Sequence, residues 1–96
     1  MNSDTEVMDL PEVTTHNGTI RVGDHFHDKR TSNRRWLRVD TITTDRYGVT
    51  VYYTVVHQEH PDGTVTQPGR EGDMKANRLL SSVFIRTTGP GIAADR

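Results

Sequence analysis

The 96-residue chain contains no cysteine, so neither disulfides nor thiolate metal ligands can stabilise its fold. No stretch approaches the roughly 20 apolar residues of a membrane-spanning helix, and the first residues lack the basic segment and apolar run of a signal peptide. Aromatic residues make up only 6% of the chain, and Trp36 is the single tryptophan. These absences favour a cytoplasmic protein with one small domain, no cofactor and no membrane partner.

The net charge of −1 hides a separation of charge along the chain. Residues 1–12 contain four acidic residues and no basic one, whereas residues 21–38 contain six basic residues and two acidic ones. We interpret residues 1–11 as a flexible acidic tail and residues 88–96 as a flexible C-terminal tail, because neither shows a periodic apolar pattern. One hypothesis is that the acidic tail folds over the basic segment and competes there with a ligand.

Alternating apolar residues predict a single β domain over residues 12–87. Asn17-Gly18 predicts a tight hairpin turn, since both central positions of a type I′ turn need positive φ. In that register Val13 lies opposite Val22, and a strand runs over residues 19–28. The hairpin would therefore place apolar residues on one common face of its two strands.

The middle of the chain gives the strongest strand signals. A strand starts at Trp36, and Ile42 breaks its strict alternation, which indicates a β-bulge. Residues 45–48 predict a turn, and residues 49–57 form a run of β-branched and aromatic residues typical of a strand. A proline followed by Asp-Gly predicts a further hairpin turn over residues 60–64.

The last third of the chain predicts less regular structure. Residues 68–73 are expected to form a mobile loop, residues 74–80 an extended segment ending in one helical turn, and residues 81–87 a closing strand. About five strands with one helical turn before the last strand predict an all-β, SH3-like antiparallel barrel, with an OB-like barrel as the alternative. The predicted core consists of Ile20, Val22, Phe26, Leu37, Val39, Ile42, Val49, Val51, Tyr53, Val55, Leu79, Val83 and Ile85.

Two histidines one residue apart in the stretch DHFHD, residues 24–28, raise the question of a metal site. On a strand they project to one face, a geometry that can offer two imidazoles to one metal ion. The candidate ligands are His25, His27, His57 and His60. The simpler interpretation is a strand with Phe26 inward and solvated imidazoles, so we expect no metal site. With no cysteine nucleophile and no Gly-rich phosphate loop, we also expect no catalytic residue and no enzyme.

A basic loop follows that strand and surrounds the tryptophan, a combination that offers charge partners to phosphates and a ring on which a base can stack. The candidate binding residues are Lys29, Arg30, Arg34, Arg35, Trp36, Arg38, Tyr47 and Tyr52. They predict a non-catalytic nucleic-acid-binding module with an accessory or regulatory role. A protein-interaction adaptor using the same face is the alternative, and a histidine-based metal-dependent enzyme is a third interpretation. A purely structural interpretation also stands, in which the arginines form a solvated face and Trp36 covers the open end of the barrel.

The stretch IRVGDHFHDKRTSNRRWLRVD is similar to the opening of small β-rich proteins found in actinomycete bacteria and in their plasmids and phages. The shared pattern covers about half of the chain, and its residues here are Val22-Gly23-Asp24, Phe26, Asp28, Arg30, Arg34 or Arg35, Leu37-Arg38-Val39 and Arg78-Leu79-Leu80. The resemblance implies a stand-alone β domain and a link to mobile elements. It assigns no catalytic residue.

Overall fold

A computed structural model describes residues 7–30 and 32–88 of the chain. The remainder of both predicted tails lies outside the described residues. In chain order the elements are β1 (Met8–Leu10), β2 (Glu12–Thr15), β3 (Gly18–Arg21), β4 (His25–Asp28), β5 (Arg34–Asp45), β6 (Gly48–Glu59), β7 (Val65–Thr66), β8 (Arg70–Lys75), α1 (Ala76–Leu79) and β9 (Phe84–Thr87). The predicted all-β fold with one helical turn before the last strand is confirmed. No helix in the described ranges is long and apolar enough to cross a membrane.

Antiparallel pairing builds one main sheet in the order β7-β6-β5-β4-β9. β8 adds to this sheet along β6, and β1 adds to it along β5. β2 and β3 form a separate hairpin, which contributes Ile20 to the core. Among the described strands no ladder joins β8 to β9, so the sheet is open and does not form the closed barrel that we predicted.

Two β-bulges interrupt the long pairing of β5 with β6. Trp36 pairs with His57 but Leu37 pairs with Val55, which leaves an extra residue on β6. Further along β5, Val39 pairs with Tyr53 and Thr41 pairs with Tyr52. Asp40 is therefore an extra residue on β5. The second bulge returns Ile42 to the buried face, so the predicted break in alternation is confirmed.

The core lies between the inner faces of the main sheet, the β2–β3 hairpin and α1. Its buried residues are Ile20, Phe26, Leu37, Val39, Ile42, Val51, Val55, Ala76, Leu79 and Phe84, with Val49 and Tyr53 partly buried against them. Three residues of the predicted core are instead exposed, namely Val22, Val83 and Ile85. Sequence reasoning missed Ala76 and Phe84.

The pairing of β9 with β4 explains why the prediction assigned the wrong face of the last strand to the core. Phe84 lies opposite Asp28 and Ile85 lies opposite His27, so Phe84 shares the buried face of β4. Ile85 must then project outward, because neighbouring residues of a strand point to opposite faces. Val83, which lies just before the strand, is exposed as well. A slip of one residue is enough to exchange the two faces.

The first hairpin also differs in register from the prediction. Val13 pairs with Ile20 instead of Val22, and Thr15 pairs with Gly18, so the register is shifted by two residues and the turn lies at His16-Asn17. The predicted type I′ turn is wrong because Gly18 alone has positive φ there, at 138°. Val22 consequently falls beyond the end of β3, where its backbone N–H donates to the carbonyl of Pro11 and its side chain is exposed.

Two segments expected to be irregular form strands. Met8–Leu10, which we assigned to the acidic tail, pairs with residues 42–44 of β5. The expected mobile loop at residues 68–73 contributes most of β8, whose six residues pair with β6 from Thr50 to Val55. Both segments are short and carry polar residues, so their pairing depends on a neighbouring strand edge that the local sequence does not reveal.

Candidate functional site

The loop between β4 and β5 is organised around one buried carboxylate. Asp28 is only 3% exposed. Its Oδ1 accepts hydrogen bonds from the backbone N–H groups of Arg30 at 3.3 Å and Arg35 at 3.4 Å. Its Oδ2 accepts a hydrogen bond from Nε of Arg35 at 3.4 Å and lies 3.9 Å from Nε of Arg30. A buried charge needs such partners, so Asp28 holds both ends of the loop in place.

A cleft of about 210 Å³ opens beside this carboxylate. Its cations are Lys29, Arg30, Arg35 and Arg78, and its other lining residues are Asp28, Val83 and Phe84. We call this feature the basic cleft. Four positive charges surround one negative charge there, so the cleft carries an excess of positive charge although the whole chain does not. Such a site attracts anions.

Arg78 reaches the basic cleft because of the way α1 is buried. Ala76 and Leu79 of this single turn insert into the core, and Arg78 between them is left on the exposed side. Our candidate site did not include Arg78, which lies more than forty residues from the basic loop in sequence. The apolar anchors on either side were the available signal, since they predict that the intervening residue points outward.

Trp36, the ring that the sequence offers for base stacking, is buried, which corrects the expectation that a ligand can reach its face. Its side chain is 6% exposed. His27 and His57 lie directly opposite on the two neighbouring strands, with ring centroids 5.3 Å and 4.9 Å from the indole. The guanidinium of Arg34 lies 5.9 Å from the ring centroid. These neighbours cover the indole on the face of the sheet opposite Leu37.

The other predicted binding residues separate into different regions. Arg34 donates through Nε to the carbonyl of Arg30 at 2.8 Å, so it stays within the basic loop. Arg38 pairs with Asp40 at 2.8 Å and does not line the basic cleft. Tyr47 is 75% exposed but occupies the turn at the other end of β5, about 35 Å of extended strand away. Tyr52 lines a different cleft, so neither tyrosine extends the basic loop.

The four candidate metal ligands do not come together as a set. No group of three or more histidine or carboxylate residues in the described part of the chain is placed to hold a metal ion. His27 contacts the backbone carbonyl of Asp28 at 2.8 Å through Nδ1, and His60 contacts Thr66 at 2.8 Å. Burial and the positive charge of Arg38 opposite it lower the pKa of His25 below the usual 6.5.

Two further clefts are less suited to an anion. A cleft of about 280 Å³ beside the Asp40 bulge is lined by two carboxylates, those of Asp40 and Glu71. A cleft of about 360 Å³ near the β5–β6 turn contains a single cation, Lys75. The basic cleft is therefore the strongest candidate for binding a charged ligand.

No protein-family model, curated protein or solved structure matches this chain. The resemblance to small actinomycete proteins thus stays a prediction, and the function is inferred from the geometry of the basic cleft alone.

Proposed function

We propose that this protein is a non-catalytic nucleic-acid-binding module that contacts phosphate groups through the basic cleft. The observation that carries the proposal is the convergence of Lys29, Arg30, Arg35 and Arg78 around the buried Asp28. Phosphate contacts from arginine and lysine supply most of the affinity in non-specific nucleic-acid binding. The module would then act as an accessory or regulatory protein that positions a nucleic acid.

The hydrogen bonds within the cleft support binding of an outside anion. Asp28 contacts both neighbouring arginines through Nε, which leaves their terminal Nη groups for a ligand. Within the described ranges no hydrogen bond or ion pair engages the side chains of Lys29 and Arg78. Arg30 and Arg35 are thus held in position by Asp28, while Lys29 and Arg78 provide positive charge that no other group of the described protein neutralises.

We also propose that the fold is a variant of the SH3-like arrangement. The strand order β9-β4-β5-β6-β8 supports this, because the last strand follows a helical turn and returns to pair with β4. The short helical turn of four residues favours this arrangement over an OB-like one, which usually contains a longer helix. In this arrangement the basic cleft is formed by the loop after β4, α1 and the start of β9.

Fluorescence anisotropy with short labelled oligonucleotides, single- and double-stranded, tests the function. We expect binding at low salt that weakens as salt is raised, since counterions are released on binding. The double variant Lys29→Gln/Arg78→Gln removes two exposed cations without touching Asp28. For single strands it should reduce the slope of log affinity against log salt by about 0.7 for each phosphate that the variant no longer neutralises.

The matched control is Arg70→Gln/Lys75→Gln, which removes two exposed cations from β8, a strand separated from β4 by β6 and β5. If this control weakens binding as much as the cleft variant, the interaction reflects overall charge and the assignment to the cleft is wrong. Absence of salt-dependent binding to any oligonucleotide would contradict the function itself.

The alternative is a protein-interaction adaptor, which the exposure of Val83 at the rim of the same cleft favours.

A further inference from the structure

We propose that the basic cleft binds the terminal phosphate of a nucleic-acid strand, a phosphate monoester, in preference to an internal phosphodiester. This inference rests on the proposed function and specifies its ligand. The cleft brings four cationic side chains to one place of about 210 Å³. That volume is below the usual 300 Å³ of a small-molecule pocket and suits a single phosphate group with its attached sugar outside.

Three arginines outside the basic cleft are each paired with a carboxylate. Arg21 pairs with Glu12 at 2.7 Å, Arg38 pairs with Asp40 at 2.8 Å, and Arg86 pairs with Asp24 at 2.5 Å. Proteins that bind the interior of a single strand follow its backbone with a charged groove several nucleotides long. Since these three charges are neutralised and four cations converge in the basic cleft, the cleft suits a ligand whose charge is concentrated at one point.

A terminal phosphate concentrates its charge in that way. It carries between about −1.5 and −2 charges near pH 7 and has three acceptor oxygens, whereas an internal phosphodiester carries one negative charge. The free Nη groups of Arg30 and Arg35 offer planar pairs of donors that match two oxygens of one phosphate. Lys29 and Arg78 add two further positive charges to the lining of the cleft.

The rim of the cleft suits the organic part of such a ligand. Val83 is 43% exposed and lines the cleft beside Phe84. An exposed apolar side chain next to the cations offers a contact surface for the sugar or base that carries the terminal phosphate. Inorganic phosphate would gain nothing from this surface, so we expect the nucleotide part to contribute to affinity.

Three oligonucleotides of one sequence test the inference, carrying a 5′-phosphate, a 3′-phosphate or hydroxyl groups at both ends. We expect at least one phosphorylated form to bind about tenfold more tightly than the hydroxyl form, as one additional charged hydrogen bond would produce. Lys29→Gln/Arg78→Gln should reduce the difference, because two of the four charges that face the phosphate are removed, and Arg70→Gln/Lys75→Gln should preserve it. Comparing the two phosphorylated forms shows which strand end is bound.

The failure of this inference is distinguishable from the failure of the proposed function. Equal, salt-dependent binding of all three oligonucleotides would overturn the preference for strand ends and leave nucleic-acid binding standing. No binding of any of them would overturn both proposals. In competition experiments, inorganic phosphate that displaces the phosphorylated strand as effectively as a nucleoside monophosphate does would overturn the contribution of the nucleotide part at Val83.

Discussion

Oδ2 of Asp28 accepts a hydrogen bond from Nε of Arg35 at 3.4 Å, with the carboxylate almost fully buried and the guanidinium partly exposed. This interaction joins the end of β4 to the start of β5 across the loop that carries the basic residues. The same carboxylate accepts hydrogen bonds from two backbone N–H groups. One residue therefore determines the loop conformation and the positions of two cations of the basic cleft.

Asp28→Asn should lower the free energy of unfolding by about 1–3 kcal/mol, because a buried acceptor with charged partners is replaced by a neutral amide. Urea denaturation followed by circular dichroism measures this. Asp73→Asn, on the exposed side of β8, is the control and should change stability by less than about 0.5 kcal/mol. Equal stability of the wild type and Asp28→Asn would show that the carboxylate does not organise the loop.

Trp36→Ala should destabilise the protein by about 3–5 kcal/mol, since the indole fills space between its two histidine neighbours. Thermal or urea denaturation by circular dichroism gives the value, because the variant has no tryptophan fluorescence. Tyr47→Ala is the comparison, since removing that exposed ring should change the free energy of unfolding only slightly. A stable Trp36→Ala variant with weakened oligonucleotide binding would instead restore the stacking role predicted from sequence.

Gly72→Ala should be destabilising by about 1–3 kcal/mol although alanine is small. A Cβ at this position would lie 2.5 Å from Oη and 2.7 Å from Cζ of Tyr53, its direct partner on β6. The phenol ring would have to move away from β8. In a double-mutant cycle, Tyr53→Leu should remove most of the cost of Gly72→Ala. Additive effects of the two substitutions would contradict this close approach.

The lowered pKa of His25 predicts that stability decreases as the pH falls below 6.5. Below pH 6.5 His25 is protonated in the unfolded chain, whereas in the folded protein its lowered pKa keeps the imidazole neutral to a lower pH. The contribution of His25 is therefore complete above pH 6.5 and is lost as pH falls toward the lowered pKa of the folded state. Urea midpoints measured between about pH 8 and 5 should decline at the acidic end.

His25→Gln should flatten that decline, because glutamine does not titrate. His16→Gln, on the exposed turn of the first hairpin, provides the matched substitution with which the profile of His25→Gln is compared. An identical acidic decline in the wild type and in His25→Gln would assign the effect to other groups.

Local chemistry accounts for several elements of this protein. Residues 49–57 form a strand because β-branched and aromatic side chains suit the extended backbone, and Gly48 and Gly63 take positive φ in the predicted turns. The single helical turn is likewise where the sequence predicts it. In each case the decisive interactions lie within a few residues of one another.

Long-range packing selects which faces are buried and which charges meet. Strand alternation is compatible with either face of β9, and pairing with β4 places Phe84 inside and leaves Val83 at the rim of the basic cleft. Cross-strand neighbours, unknown until register is set, cover Trp36. Arg78 joins the basic loop only because the anchored helical turn brings it there. Thus residues close in sequence specify a β protein with a basic loop, whereas pairing between distant strands assembles that loop into one cleft.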